Sequence, residues 1–277
     1  MPCLSRPIRL LRSGRDCGND RRKREKMEER LNKWLSRMGV CSRREADRLI
    51  EAGKVLVDNR PASMGQKVTP GQKVVCNGRM VRVDKSRKPR PVLLAVNKPR
   101  GIVCTTTDKD RAENIVDFLG YPERIYPVGR LDKDSEGLLL MTNQGDLVNK
   151  IMRSGNAHEK EYIVTIDKPV TEHFLEQMAG GIRLPELDQV TRPCKVKKVE
   201  RNTFSIILTQ GLNRQIRRMC EVCGCQVRRL VRVRIMNIRL GNLRTGAYRQ
   251  ITKEEYEELT GLLKDSSSLS LKERKNR

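Results

Sequence analysis

The segment PVGRLDKDSEGLLLMTN, residues 127–143, places two aspartates shortly before an apolar run. The run at 138–141 predicts a buried strand, and Gly129 permits a sharp turn ahead of it. Asp132 and Asp134 alternate with basic residues between these two features. A carboxylate weakens the binding of any polyanion, so each acid is either a turn residue paired with its basic neighbours or a group that performs chemistry. The charge pattern alone leaves both interpretations open.

The overall composition indicates a nucleic-acid partner. The 277 residues include 58 Lys and Arg but 34 Asp and Glu, a formal net charge of +24. Such an excess favours binding to phosphate backbones. No apolar stretch reaches the ~18 residues that a membrane span requires, so no membrane partner is expected. Nine cysteines, an odd number without framework spacing, predict reduced thiols and a cytoplasmic location.

The triplet Cys220, Cys223 and Cys225 (CEVCGC) raises the question of a metal site. A zinc site usually takes four ligands, and the two histidines of the chain, His158 and His173, are distant in sequence. Small buried thiols are the simpler interpretation. A phosphate-binding loop with its lysine is also absent from the sequence. We therefore expect neither a metal nor another cofactor.

The stretch from residue 28 predicts a small module of two helices and a few strands. Apolar residues at 31, 34, 35 and 38 share one face of a helix, and Ser42 with Glu45 predicts a capping box for a second helix. Val55 and Val57 alternate as in a strand. Five basic residues project from the two helices, with few opposing acids: Lys33, Arg37, Arg43, Arg44 and Arg48. This pattern favours a phosphate-binding face over a merely solvated one.

The same stretch resembles a known RNA-binding family. The sequence LNKWLSRMGVCSRREADRLIEAGKVLVDNRP, with its continuation to residue 77, is similar to the alpha-L RNA-binding domain. The resemblance implies that this module contacts RNA, in agreement with the basic face of its helices.

The remainder of the chain predicts an α+β domain. EYIVTID (161–167) and FSIILTQ (204–210) alternate as strands, whereas LNRQIRRMCEVCG (212–224) predicts a basic helix. Thr171, and Thr252 with Glu255, are expected to cap two further helices. Strands and helices do not alternate regularly, which argues against a doubly wound parallel sheet.

Four stretches of this domain resemble the RNA pseudouridine synthases, in the branch that modifies ribosomal RNA at single sites. They are NKPRGIVCTT (97–106), GRLDKDSEGLLLMTNQGDL (129–147), HEKEYIVTIDKP (158–169) and GLNRQIRRMC (211–220). The likeness to the family covers most of residues 29–260. It departs at Arg100, where a small apolar residue is expected, and at Cys223 and Cys225, where the family has aromatic residues. The resemblance implies a catalytic domain built on a mixed, mainly antiparallel β-sheet with flanking helices.

The domain organisation expected from these patterns has five parts. They are a disordered basic extension (1–26), the alpha-L RNA-binding domain (27–80), a linker (81–90), the pseudouridine synthase catalytic domain (91–262) and a disordered tail (263–277).

The resemblance also implies roles for individual residues. Asp132 aligns with the catalytic nucleophile, Tyr162 with a tyrosine that stacks on the target base, and Arg217 with the arginine that pairs with the aspartate. Helical spacing is expected to place Arg214 and Arg218 on one phosphate-binding face. The expected RNA-binding residues are Lys33, Arg43, Arg44, Arg48, Arg130, Lys160, Arg214 and Arg218.

The function implied by the resemblance is isomerisation of a specific uridine of ribosomal RNA, with 23S rRNA as the first candidate, after the base leaves its stack. We expect a cytoplasmic monomer, and tRNA is an alternative substrate. Two rival functions stay open at this point. A non-catalytic RNA-binding or ribosome-assembly protein would carry Asp132 without an open site beside it. A methyltransferase would need a glycine-rich cofactor loop, which the sequence does not contain.

Overall fold

The computed structural model describes residues 28–81, 91–105 and 112–266. The chain divides into two compact units, Met1–Pro89 and Arg90–Arg277, and each is described by itself. The extension expected at 1–26 and nearly all of the linker expected at 81–90 lie outside the described residues. Within the described ranges, every helix is too short or too polar to cross a membrane.

In its described part, the first unit contains two helices and two small sheets. The helices are α1 (Leu31–Arg37) and α2 (Arg43–Glu51), and the strands are β1 (Glu29–Arg30), β2 (Val55–Val57), β3 (Arg60–Pro61), β4 (Lys67–Val68), β5 (Val74–Cys76) and β6 (Arg79–Met80). β1 pairs with β4, and the other four strands form an antiparallel sheet in the order β3-β2-β5-β6. Leu31, Trp34 and Leu35 of α1 share one buried cluster with Ala46 and Ile50 of α2, as the apolar spacing predicts.

The start of α2 matches the predicted cap in part. The Glu45 amide donates to Ser42 Oγ at 3.1 Å, so the N-cap is confirmed. The Glu45 carboxylate lies 3.3 Å from Arg48 Nη1 rather than on the Ser42 amide. The second half of the predicted capping box is therefore wrong, because a charged donor one turn along the helix competes for the same carboxylate.

The second unit is built from strands and helices that follow no regular alternation. Its elements are β7 (Leu93–Lys98), α3 (Ile115–Leu119), β8 (Tyr126–Val128), β9 (Glu136–Thr142), α4 (Gly145–Met152), β10 (Lys160–Ile166), α5 (Glu172–Gly180), β11 (Arg183–Leu184), β12 (Gln189–Val190), β13 (Lys195–Glu200), β14 (Thr203–Leu208), α6 (Gln215–Val222), β15 (Val227–Ile235), β16 (Ile238–Arg239), β17 (Tyr248–Gln250) and α7 (Lys253–Leu262). The predicted cap at Thr171 and the full capping box of Thr252 and Glu255 are confirmed.

A mixed sheet of nine strands forms the frame of the second unit. Its strand order is β13-β14-β10-β15-β9-β7-β17, with β16 beside β15 and β8 beside β9. β9 and β15 run parallel, and the other neighbouring strands run antiparallel. The α+β class and the mixed, mainly antiparallel sheet are thus confirmed. The single parallel pair joins two antiparallel halves near the middle of the sheet.

Gly137 permits the close approach of these two halves. Its φ is +101°, and a Cβ at this position would collide with the carbonyl oxygen of Arg232 on β15. Because any other residue would push the strands apart, the glycine that precedes the apolar run is required by the parallel junction.

Apolar side chains alternate along β9 and separate the two faces of the sheet. Leu138 and Leu140 belong to a cluster with α4 and α7, whereas Leu139 and Met141 belong to a cluster with α3. A third cluster, formed by β10, β14, α5 and α6, shares the face of α3, because Tyr162 packs against both. We call these two sides the α3/α6 face and the α4/α7 face.

The ordered chain extends beyond the predicted end of the catalytic domain. Leu263, expected in the tail, is 2% exposed within the α4/α7 cluster. Ser266 Oγ lies 2.8 Å from His158 Nε2. The first residues of the expected tail are therefore part of the fold because Leu263 fills its core, and 267–277 lie outside the described residues.

Candidate active site

The loop between β8 and β9, residues 129–135, carries both aspartates of the opening segment. Gly129 begins the loop with a φ of +77°, and a Cβ there would collide with the Met152 side chain. The sharp turn predicted from the sequence is therefore present. The loop leads directly into β9, one of the two parallel strands, so its position is set by the centre of the sheet.

A buried ammonium group holds the backbone of this loop. Lys98 ends β7 and is fully buried. Its Nζ donates to the carbonyl oxygens of Ser135 at 2.8 Å and Asp132 at 3.2 Å, and also to those of Pro99 and Lys133. Burial lowers the pKa of Lys98. Lys98 was not among the predicted site residues, although a lysine that ends an apolar strand is a signal for such a role.

The Asp132 carboxylate is partly exposed and lies next to a cation. Its side chain is 36% exposed, and its Oδ2 lies 4.0 Å from Arg214 Nη1. Arg214 is the N-cap of α6 and has a φ of +51°, a left-handed conformation that costs a side-chain-bearing residue about 1 kcal/mol or more. Because α6 begins only at Gln215, the expectation that Arg214 and Arg218 share a helix face is wrong. The strained turn places the Arg214 guanidinium at the aspartate.

Arg217 makes different contacts from those expected. It is 9% exposed, and its guanidinium donates to the carbonyl oxygens of Asp134 at 3.1 Å and Val227 at 3.3 Å. Burial lowers the pKa of Arg217. Asp132 is not among the hydrogen-bond partners of Arg217 in the described part of the chain, although its charge acts on the guanidinium, so the pairing of the two stays a prediction. Arg217 points into the unit and ties the loop to α6 and β15, and the ion contact of Asp132 is made by Arg214.

Tyr162 lies where the two clusters of the α3/α6 face meet. In the sheet register Tyr162 is opposite Arg232 on β15, and Arg232 is opposite Gly137 on β9. With strands about 4.8 Å apart, the Cα of Tyr162 lies about 10 Å from that of Gly137. The ring is half-buried and packs against both clusters. Leu131, directly before Asp132, is buried in one of them, so the tyrosine and the aspartate loop adjoin the same face.

Lys160 does not fit its expected role as a phosphate contact. It is 5% exposed, and its Nζ donates to the His158 carbonyl oxygen at 3.2 Å. Burial lowers the pKa of Lys160 to about 8, and the neighbouring charge of Arg232 lowers it as well. The prediction is wrong because the strand directs this side chain into the interior. Arg232, 1% exposed, was also missed, and its Nε donates to the Leu138 carbonyl oxygen at 2.7 Å.

Arg130 and Arg218, the other two expected RNA-binding residues discussed for the second unit, differ in how free their guanidinium groups are to bind phosphate. Arg130 is exposed and makes no side-chain hydrogen bond or ion pair with any residue that the structure describes. Arg218 donates to both the backbone and the side-chain oxygen of Asn213, and forms an ion pair with Glu186. Arg130 is therefore free to meet phosphate, whereas Arg218 fixes the loop that precedes α6.

In the first unit, the expected basic face is reduced to two free arginines. Lys33 lies 3.7 Å from Glu29, and Arg48 lies 3.3 Å from Glu45. Arg43 and Arg44 are exposed, and neither forms an ion pair within 28–81, the part of this unit that the structure describes. These two guanidinium groups are thus the ones most available to RNA.

The cysteine triplet belongs to the apolar core beside α6. Cys220 and Cys225 are buried in the cluster of the α3/α6 face, and Cys223 packs against it. Burial raises the pKa of Cys220 and of Cys223. The interpretation of small buried thiols is confirmed for Cys220 and Cys225.

The arrangement suits covalent chemistry on an RNA base. A partly exposed carboxylate, Asp132, lies on a loop whose backbone is fixed by Lys98 and Arg217. A cation, Arg214, lies 4.0 Å from this carboxylate, and an aromatic ring, Tyr162, adjoins the same face. A carboxylate that is held in place next to a cation has the features of a nucleophile.

Comparison with known proteins places both units in described families. An S4 domain matches residues 29–74, and an RNA pseudouridylate synthase domain matches residues 92–222. The chain is 52% identical over 239 residues to the Dual-specificity RNA pseudouridine synthase RluF of Escherichia coli (strain K12), covering 86% of this chain and 81% of that protein. It is 36% identical over 242 residues to the Ribosomal large subunit pseudouridine synthase B of Bacillus subtilis (strain 168), covering 84% of this chain and 96% of that protein.

A solved structure shows a similar fold. A crystal structure described as a pseudouridylate synthase superimposes with a TM-score of 0.61 at 27% sequence identity, covering 83% of this chain and 99% of that one.

Proposed function

Since the chain belongs to the RNA pseudouridylate synthase family, we propose that it isomerises a specific uridine of ribosomal RNA to pseudouridine. We assign the target to 23S rRNA because the relative from Bacillus subtilis is named for the large ribosomal subunit. We further propose that the enzyme acts as a monomer in the cytoplasm. The first unit, which matches the S4 domain, would bind the same RNA through Arg43 and Arg44.

The observation that carries the proposal is the setting of Asp132. Its carboxylate is 36% exposed and 4.0 Å from Arg214, while the carbonyl of the same residue accepts from the buried Lys98. A surface turn residue would not need a buried lysine to fix its backbone. The aspartate is therefore held for a reaction in which its oxygen must meet one atom of the substrate.

In the mechanism that we propose, the target uridine leaves its stack and its base lies against Tyr162. Asp132 then attacks either the anomeric carbon of the ribose or the uracil ring. The bond between uracil N1 and the ribose breaks, the base turns over, and a bond forms between uracil C5 and the same ribose carbon. The bond between Asp132 and the substrate then breaks and releases the free carboxylate. The C5 proton is lost and N1 gains one, so the reaction is an isomerisation that needs no oxidant or cofactor. Arg214 acts as the counter-ion of the carboxylate.

The test compares the two acids of one loop. Asp132→Asn should abolish pseudouridine formation and leave RNA binding close to that of the wild type. Asp134→Asn is the matched control, because its side chain is exposed and forms no hydrogen bond or ion pair with the residues that the structure describes. Each variant is expressed from a plasmid in cells from which the gene has been deleted. Pseudouridine in their 23S rRNA is mapped by carbodiimide labelling and reverse transcription. Retained modification with Asp132→Asn would remove the assignment.

A second substrate class is favoured by one finding. The RluF relative is named a dual-specificity enzyme, so we propose tRNA as a further target. The same mapping applied to tRNA from these cells decides this point. Loss of a tRNA pseudouridine together with the ribosomal one would support it, and an unchanged tRNA would restrict the enzyme to ribosomal RNA.

A further inference from the structure

An aromatic patch lies at the edge of the sheet and contains none of the residues of the proposed mechanism. Aromatic residues make up only 3% of the chain, yet three of them meet here: Phe118, Tyr121 and Tyr248. The rings of Tyr121 and Tyr248 contact each other edge to face, with centroids 5.8 Å apart. Phe118 lies against the backbone of Gly246. Tyr248 is 44% exposed, so a large part of its ring faces solvent.

The strand register places this patch on the same face as Asp132. Tyr248 on β17 is opposite Val96 on β7. Val96 belongs to the α3 cluster, which also contains Leu131. Because residues opposite each other in a sheet point to one side, Tyr248 lies on the α3/α6 face.

The aromatic patch is also close to the aspartate loop, both along the strands and in the direction perpendicular to them. β17 is two strands from β9, a distance of about 10 Å. Val96 is two residues, about 7 Å, before Lys98, whose Nζ contacts the Asp132 carbonyl. Tyr162 lies two strands from β9 on the other side. An RNA strand that crosses this face would therefore meet Tyr248 within a few nucleotides of the reacting uridine.

The charge beside the rings agrees with an RNA occupant. Arg244 lies four residues before Tyr248, is exposed, and forms no side-chain hydrogen bond or ion pair within the described residues of its unit. Among the exposed acids of this region, Asp117 accepts a hydrogen bond from Asn114, and Glu123 is followed directly by the exposed Arg124. A ring with a free surface beside an unpaired guanidinium is the combination that binds an unstacked base and its phosphate.

We propose that Tyr121 and Tyr248 form a stacking platform for an unpaired base of the substrate RNA next to the target uridine. This inference rests on the proposed function and deepens it. The platform keeps the flanking nucleotide ordered while the uridine enters the site. It acts on RNA affinity and on the choice of sequence context, and it takes no part in bond making or breaking.

The experiment measures the affinity of the full-length enzyme for a stem-loop RNA that carries the uridine found by mapping. Tyr248→Leu should weaken binding on the order of tenfold, since stacking of one base on an aromatic ring is worth about 1–3 kcal/mol. Tyr248→Phe should bind as the wild type does, because the ring is kept. Tyr256→Leu is the matched control, because Tyr256 is also half-buried but packs on the α4/α7 face. Equal affinity of Tyr248→Leu and the wild type would overturn the proposal.

A second readout separates stacking from a structural role of the ring. Abasic nucleotides are placed one at a time beside the target uridine. For the wild type, one position should weaken binding strongly, and for Tyr248→Leu the same replacement should have little further effect. Equal losses for both proteins at every position would overturn the platform. If Tyr248→Leu does not fold, the test is photo-crosslinking of the wild type to RNA that carries 5-iodouridine at the flanking positions. Absence of adducts on Tyr121 and Tyr248 would then count against the platform.

The outcomes also distinguish the platform from the proposed function. Binding is measured in the Asp132→Asn background as well, where the RNA is bound but not converted. Pseudouridine formation by Asp132→Asn would refute the mechanism without touching the platform. Unchanged binding by Tyr248→Leu would refute the platform without touching the mechanism.

Discussion

Replacement of Lys160 with methionine should increase the stability of the protein at neutral pH. Lys160 is 5% exposed and has a pKa of about 8 in place of the usual 10.5. Each unit of pKa shift corresponds to about 1.36 kcal/mol, so keeping this ammonium charged and buried costs about 3 kcal/mol. Methionine fills a similar volume without the charge but loses the hydrogen bond to the His158 carbonyl, worth about 1 kcal/mol. The expected net gain is about 2 kcal/mol.

The pH dependence of this gain identifies its cause. Between pH 8 and 10.5 the unfolded chain still holds the lysine proton that the folded chain has lost. The contribution of Lys160 to the free energy of unfolding therefore rises with pH across this window, and its full cost is present below pH 8. The stability advantage of Lys160→Met over the wild type should be largest near neutral pH and should decline through zero as the pH rises. Towards pH 10.5 the variant should be slightly less stable than the wild type, because only the lost hydrogen bond remains.

The assay is urea denaturation of both proteins at a series of pH values under reducing conditions. The two proteins share all their other ionisable groups, so the effects of those groups cancel in the difference. RNA affinity is measured in parallel and should be unchanged, because the side chain does not reach the surface. A variant that is less stable at neutral pH, or a stability difference that does not vary with pH, would refute the interpretation. If Lys160→Met bound RNA more weakly and with less dependence on salt, this would support the phosphate contact of Lys160 that was expected from the sequence.

Three further sets of substitutions test the cations and the strand junction. Arg217→Ala should lower the free energy of unfolding by about 2–3 kcal/mol, because two backbone carbonyls lose their donor. Arg214→Ala should leave the thermal stability near that of the wild type and should reduce the single-turnover rate of pseudouridine formation. Arg43→Ala and Arg44→Ala should each lower the slope of log affinity against log salt concentration by about one, measured by RNA titration. Gly137→Ala should destabilise the protein by about 3 kcal/mol or more, measured by thermal unfolding, because its Cβ would meet the backbone of β15.

Two matched controls make these outcomes specific. Arg37→Ala removes an arginine that is already paired with Glu29, so it should change the salt slope less than Arg43→Ala does. Gly71→Ala has a comparable φ of +100° but open space around the position, so it should show only the cost of backbone strain. Equal losses of stability at Gly71 and Gly137 would contradict the close approach at the strand junction. A normal unfolding free energy for Arg217→Ala would contradict its role in tying the loop to β15.

The local features of the fold could be predicted because their causes are local. The N-caps at Ser42, Thr171 and Thr252 depend on a side chain and an amide three residues apart, and all three are present. The turn at Gly129 and the strand at 138–141 follow from one glycine and one apolar run. The boundary at residue 263 was misplaced because a single leucine that returns to the core leaves no periodic signal.

The sequence by itself determined the α+β class, the caps, the basic surface and, through four motifs, the family and Asp132 as the candidate nucleophile. Tertiary structure alone decided which charges reach solvent. Lys98, Lys160, Arg217 and Arg232 are buried, whereas Arg214 stands at the aspartate. The physical reason is that a basic residue appears the same in a sequence whether it meets water or backbone carbonyls. Its burial depends on contacts between strands and loops that are distant along the chain, as when Arg217 reaches Asp134 across 83 residues.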